Sequence, residues 1–178
     1  SVYSRFCKWR DDGTLLRIFQ ALNADADYEN LYIDSTAIKA HPQSAGAKKA
    51  INSESNQFIG TSRGGKTTKI HMIVDALGNP VHFMLTGGQV HDSAAAVDLL
   101  AGLPLSGSNI LGDKAYGAKH IRDYITQQGA TYTIPPKKNC AEPWYCDFHT
   151  YKERHLVECF FNKLKVFRRV ATRYDKLA

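Results

Sequence analysis

No apolar run in this 178-residue chain approaches the ~20 residues that a membrane span needs, and no signal-peptide pattern is present. Cysteine is sparse. Cys7, Cys140, Cys146 and Cys159 form no CxxC pair and no regular framework, which speaks against a disulfide scaffold and for reduced thiols in a cytoplasmic protein. Cys140, Cys146 and His149 lack the spacing of a zinc finger or ribbon, so packing is a better reading than metal binding. There is no internal repeat. An initiator Met is also missing, and the chain stops at Ala178 directly after a helical pattern with no cap or glycine. Both ends read as cut, with truncation expected at the C-terminus of the core.

What is present is enough apolar material, 43% of residues, for one substantial core. The formal charge of +6 is unevenly placed, since residues 151–178 hold 8 Lys or Arg against 3 Asp or Glu. An anionic partner such as DNA fits that surface, and a solvated helix face is the competing reading.

Turn signals and periodicity give an order of elements. Residues 1–27 read as a short N-terminal helical segment, with two pieces around Asp11, Asp12 and Gly13. The remainder, 28–178, reads as the main domain. Residues 30–36 (NLYIDST) have the bias of a buried strand that delivers Asp34 at its C-terminal end. Residues 37–68 turn polar and read as a long connection whose lysines and Arg63 suit DNA or solvent equally. KIHMIVDA and VHFMLT, separated by LGNP, predict a hairpin, and Asp92 or Ser93 is expected to cap the next helix. NILGDK is a fourth strand with Asp113 at its edge. A helix over 118–128 then ends at Gly129, TYTIPP is a fifth strand, and one long helix is expected over 151–176. The pattern is α/β: a five-stranded mixed sheet, its first three strands antiparallel and its later ones parallel, flanked by helices.

GTSRGGKT, residues 60–67, satisfies the phosphate-loop pattern G-x4-GK-[ST]. Such a loop needs a strand before it and a helix N-terminus after it, whereas a polar stretch precedes this one and a strand pattern follows. A basic loop leading into a strand is expected, with no nucleotide cofactor.

On a continuous helix, Tyr151, Arg154, Glu158 and Lys165 share one stripe, while Leu156, Phe160, Leu164, Phe167, Ala171 and Tyr174 fill the opposite side. By the same helical count Arg169 extends the stripe. Asp34 and Asp113 become neighbours if their strands pair, and Glu158 can reach them from the packed helix. Three converging carboxylates repel one another unless a cation neutralises them. Oxygen ligands favour Mg²⁺ or Mn²⁺, and two such ions suit in-line phosphoryl transfer. Each residue also has a structural reading: Asp34 as a turn or cap residue, Asp113 as a strand-end carboxylate, Glu158 as the partner of Arg154. His71, His91 and Asp92 are expected near the site without an assigned part in it.

YIDST around Asp34, GDKAY around Asp113 and the Y-x2-R-x3-E-x6-K spacing met by Tyr151, Arg154, Glu158 and Lys165 resemble bacterial insertion-sequence DDE transposases of the IS-five group. RGGKTTKIH, GGQVHDS and VFRRVATRYDK are similar too. The resemblance implies a ribonuclease-H-like fold shared with retroviral integrases. It makes Asp34, Asp113 and Glu158 the catalytic, metal-binding triad, and has Tyr151, Arg154 and Lys165 hold DNA phosphates. It further implies a divalent metal cofactor, Mg²⁺ or Mn²⁺, and paired protomers acting on terminal inverted repeats and target DNA, with no membrane partner. A ribonuclease-H-like nuclease without strand transfer, or a silent DNA-binding remnant, are the alternatives.

Overall fold

The computed structural model describes residues 1–44 and 57–175. Helix α1 (Val2–Asp11) starts where the Ser1 hydroxyl accepts the Ser4 amide, and Gly13, at φ 75°, turns the chain into α2 (Thr14–Leu22). That backbone angle suits glycine, which has no Cβ to clash. Helix α2 rests on the main body through an edge-on contact of Phe19 with Phe83 and an Asn23 side-chain bond to the Val81 carbonyl.

Strand β1 runs Asn30–Ala40, longer than expected, so Asp34 lies within it rather than at its end. The reason is its neighbour: β3 (Gly65–Val74) pairs antiparallel with β1 from Tyr32 to Lys39, well past the point where the sequence turns polar. Part of the expected connection is therefore strand. Gly60–Ser62 forms β2, which meets the start of β3 across a two-residue Arg63-Gly64 turn, with Gly65 at φ 93°. The GTSRGGKT stretch is thus a β-hairpin instead of a loop, and no helix N-terminus follows it. Lys48 and Lys49 of the expected connection lie outside the described residues.

Strand β4 (Pro80–Gly87) completes the predicted hairpin, its turn fixed by Asp75, whose Oδ1 accepts the Leu77 and Asn79 amides at 3.0 and 2.7 Å. Helix α3 (Asp92–Leu100) follows, then β5 (Asn109–Gly112), α4 (Lys119–Gln127) and β6 (Thr131–Thr133). The α3 cap differs from expectation: His91 Nδ1 accepts the Ser93 amide, because the Asp92 carboxylate is engaged elsewhere.

The five expected strands lie side by side as β4, β3, β1, β5, β6, with β1, β3 and β4 antiparallel and β5 and β6 parallel to β1. This is the mixed sheet, flanked by helices, that the order of elements predicts. Among the described residues, the short strands β2 and β7 (Thr172–Arg173) raise the total to seven.

Alternation along the strands divides the core in two. Leu31, Ile33 and Ile73 face α3 and α4, packing on Ala96, Leu99, Ile121 and Ile125. Tyr32, Met72 and Val74 face the other way, onto Val157 and Phe161. Burying each such aliphatic or aromatic side chain contributes roughly 1.5 to 3 kcal/mol.

The single long helix expected over 151–176 is interrupted. Asp147 starts helix α5 (Phe148–Tyr151) by accepting from His149 N and Thr150 Oγ1, a 3-10 turn spans Lys152–Arg154, and α6 covers His155–Lys165. After an extended Phe167 come the one-turn helix α7 (Arg168–Ala171) and β7. Pairing of Thr172 and Arg173 with Lys39 and Ala40 competes with the helix, and the buried Arg173 guanidinium donates to Thr68 Oγ1 and the Gln57 carbonyl at 2.8 and 2.6 Å. The packed face also differs from expectation. It is centred on Val157 and Phe161, with Leu156, Phe160 and Leu164 alongside, while Phe167 is exposed. Among the described residues no helix is long and apolar enough to cross a membrane.

Candidate active site

Strands β1 and β5 pair in register from Asn30↔Asn109 to Ile33↔Gly112, so the next residue on each chain is an aspartate: Asp34 and Asp113. Gly112 permits the close approach. A Cβ there would stand 3.0 Å from Ile33 Cγ2 and 3.2 Å from Tyr116 Cβ, tight enough to push the strand end aside. Asp113 Oδ1 accepts the Ala115 amide at 2.7 Å, and Asp34 Oδ1 accepts the Ser35 amide at 2.8 Å.

The α6 side of the sheet supplies the rest. Tyr32, two residues before Asp34 on the same face, donates its hydroxyl to Glu153 Oε2 at 3.0 Å and so ties down the 3-10 turn. Arg154, next in the chain, donates from Nη1 to Asp34 Oδ2 at 2.9 Å and from Nη2 to Glu158 Oε1. Val157 and Phe161 flank Glu158 in the chain and are buried, which fixes the helix turn that carries it. The Tyr151 ring centroid is 6.0 Å from the Arg154 guanidinium carbon.

Burial raises the Asp34 pKa above its ordinary range; the Ser35 amide and Arg154 work against that rise, and the Asp113 charge adds to it. A desolvated carboxylate beside a second one favours a cation. Arg154 supplies that charge here. The donor chemistry of Asp34 and Asp113 suits a hard divalent ion, while Arg154 engages both Asp34 and Glu158, the latter as its structural reading foresaw. Among the described residues no three His, Cys, Asp or Glu side chains are drawn together in a metal-holding group.

Lys165 is exposed at the last residue of α6. Arg169 leaves the stripe, contrary to the helical count, because the helix breaks before it; its Nη1 pairs with Asp175 Oδ1 at 3.1 Å on the surface. Cys146 is buried, and the Cys140 thiol donates to the Glu142 carbonyl at 3.4 Å.

A second polar group lies across the sheet, facing α3. Ser35 Oγ donates to Asp92 Oδ1 at 2.6 Å, and Lys69 Nζ donates to the same oxygen at 2.9 Å and to the Val90 carbonyl at 2.7 Å. His71, fully buried, sets Nε2 against Thr86 Oγ1 at 2.9 Å and Nδ1 3.9 Å from Asp92 Oδ1. Burial lowers its pKa, outweighing the pull of Asp92, so the imidazole is neutral at pH 7. Burial pulls the Asp92 pKa upward, but Ser35, Lys69 and His71 together hold it below the usual carboxylate range. Ser35 and Lys69 escaped the sequence reading. Their signals were a serine alternating with Asp34 across a buried strand and a lysine within an otherwise apolar one.

Residues 25–143 match the family described as Transposase DDE domain. The chain belongs to that family. The matched stretch of this transposase domain contains Asp34 and Asp113 and ends before Tyr151, Arg154 and Glu158. A curated relative from Brucella ovis, named "Putative transposase for insertion sequence element IS6501", is 42% identical over 111 residues, 62% of this chain and 85% of the relative. "Uncharacterized protein y4sN" from Sinorhizobium fredii is 40% identical over 50 residues, 28% of this chain and 40% of that protein. Among solved structures, the piggyBac transposase synaptic complex with hairpin DNA is similar over 65% of this chain and 24% of its own, at TM-score 0.44 and 16% identity. The Mos1 transposase paired-end complex with left transposon end is similar over 87% of this chain and 56% of its own, at TM-score 0.37 and 12% identity.

Proposed function

We propose that this transposase domain cleaves DNA at the ends of an insertion sequence and joins the freed 3′-hydroxyl to target DNA, using Asp34, Asp113 and Glu158 as ligands for Mg²⁺ or Mn²⁺. The observation that carries this reading is the pairing of Ile33 with Gly112, which sets the two aspartates side by side with Arg154 linking Asp34 to Glu158. When bound, a pair of divalent ions would supply the charge that stabilises the attacking and leaving oxygens of an in-line displacement.

The protein's own groups then have separable tasks. Asp34, within β1, and Asp113, just past the end of β5, present carboxylate oxygens from backbone that the sheet holds in place. Arg154, its planar fork suited to two phosphate oxygens, exchanges Asp34 and Glu158 for the DNA backbone. Tyr151 lies against that guanidinium and Lys165 adds a point charge farther along α6, so both extend the phosphate track. Arg169 belongs to that track only if DNA draws it from Asp175. Residues 1–27 serve as a helical preface to a catalytic domain over 28–178, and two protomers bring paired ends together.

The test is to incubate the protein with Mg²⁺, labelled element-end DNA and a supercoiled target plasmid, and to separate the products. Nicked ends together with end-to-target joints support the proposal. Nicks without joints identify a nuclease, and binding without either product identifies a silent DNA-binding protein.

A further inference from the structure

Ser35 belongs to both polar groups at once. Its amide holds Asp34 on the α6 side of the sheet and its hydroxyl holds Asp92 on the α3 side, at 2.8 and 2.6 Å. Asp92 is itself fixed three ways. It occupies the first turn of α3, where the helix dipole favours an anion, it accepts from Lys69, and the buried His71 ring stands behind the same oxygen. Lys69 is locked in turn by the Val90 carbonyl. The Ser35 side chain therefore has one orientation, and the peptide joining it to Asp34 is held with it.

That restraint selects an oxygen. With the Ser35 amide on Oδ1, the other oxygen of the Asp34 carboxylate, Oδ2, is the one presented to the α6 side, where Arg154 grips it. We propose that Asp92 is a positioning residue for the active site: through the Ser35 hydroxyl it fixes which carboxylate oxygen of Asp34 faces the cation. The inference rests on the reading of Asp34 as a metal ligand. Ligating carboxylates are commonly oriented by such supporting hydrogen bonds, and removal of one costs about 10- to 100-fold in metal affinity. A tether between α3 and the sheet is the competing explanation, and the two separate experimentally, because Ser35→Ala leaves the bonds of Lys69 to Asp92 and Val90 in place.

The experiment titrates Mn²⁺ into the protein without DNA by calorimetry, and records thermal midpoints of Ser35→Ala, Ser35→Thr, Asp92→Ala and Asp34→Ala beside the parent. Ser35→Ala is expected to weaken Mn²⁺ binding by about tenfold, at the low end of that range, with Asp92→Ala at least as weak. Ser35→Thr, which keeps the hydroxyl, restores parental affinity. The Ser35→Ala midpoint falls by about 3 to 12 °C, the scale that loss of one hydrogen bond to a carboxylate implies for a chain of this size. Parental Mn²⁺ affinity in Ser35→Ala, with Asp34→Ala impaired, overturns the positioning role alone. Parental affinity in Asp34→Ala overturns the ligand reading and this inference with it. Should Asp92→Ala fail to fold, the Ser35→Ala and Ser35→Thr pair still decides.

Discussion

Arg154 Nη1 donates to Asp34 Oδ2 at 2.9 Å while Nη2 of the same guanidinium donates to Glu158 Oε1, so one cation links two of the three carboxylates proposed to hold metal. The arrangement neutralises charge that the fold has gathered, and it places Arg154 in competition with any divalent ion. Under the proposed function a DNA phosphate would resolve the competition, since a guanidinium binds phosphate as readily as carboxylate.

Arg154→Ala therefore has opposite effects on two measurements. Mn²⁺ binding to the DNA-free protein becomes tighter, because a competing cation is gone, while the rate of end cleavage falls by about 10²- to 10³-fold, the usual loss for removal of a charge-stabilising donor. Calorimetry and a single-turnover cleavage assay read the two. Arg154→Lys, which keeps the charge without the fork, falls between.

Stability against pH separates Asp34 from Asp92. The Asp34 pKa is raised above 3.8 on folding, so its ionisation costs stability as pH rises through the interval from 3.8 to the folded value. Asp34→Asn should be more stable than the parent at pH 7, with the gain vanishing below about pH 4. The Asp92 pKa is lowered below 3.8, so its contribution is present above 3.8 and lost as pH falls toward the folded value. Asp92→Asn should be less stable at pH 7, with a deficit that closes in acid. Urea titrations across this pH range check both signs.

Gly112→Ala inserts a methyl group 3.0 Å from Ile33 and 3.2 Å from Tyr116. Overpacking of this kind costs about 1 to 3 kcal/mol, and here it also shifts Asp113 away from Asp34. Cleavage should fall more than stability does, whereas Ala118→Gly, away from the strand junction, should leave cleavage near the parental rate.

Phe161→Ala removes a ring that is 6% exposed and docks α6 on the sheet. The expected loss is about 3 to 5 kcal/mol. Because α6 carries Glu158, metal binding should weaken as well, and thermal melts run with and without Mn²⁺ would show a smaller stabilisation by metal than in the parent.

Much of this site was legible in the sequence because it depends on local pattern. The alternation of YIDST and NILGDK placed the strands, and their parallel pairing brought Asp34 beside Asp113. Arg154 and Glu158 needed only a four-residue helical spacing. The tertiary competitors were less visible. Pairing of Thr172 and Arg173 with β1 ended the last helix early and took Arg169 off its stripe, and pairing of β2 with β3 made a hairpin where polar composition indicated a loop. The Ser35, Lys69 and Asp92 group joins β1, β3 and α3, and no single segment announces it.

The most direct measurement of the proposed catalytic role is end cleavage and joining by Asp113→Ala and Glu158→Ala in Mg²⁺, with DNA binding followed in parallel. Both variants should bind element-end DNA as the parent does and lose cleavage and joining together by about 10³-fold or more, the scale of losing groups that act as a unit. Parental cleavage by either variant would contradict the assignment of that carboxylate to the catalytic site.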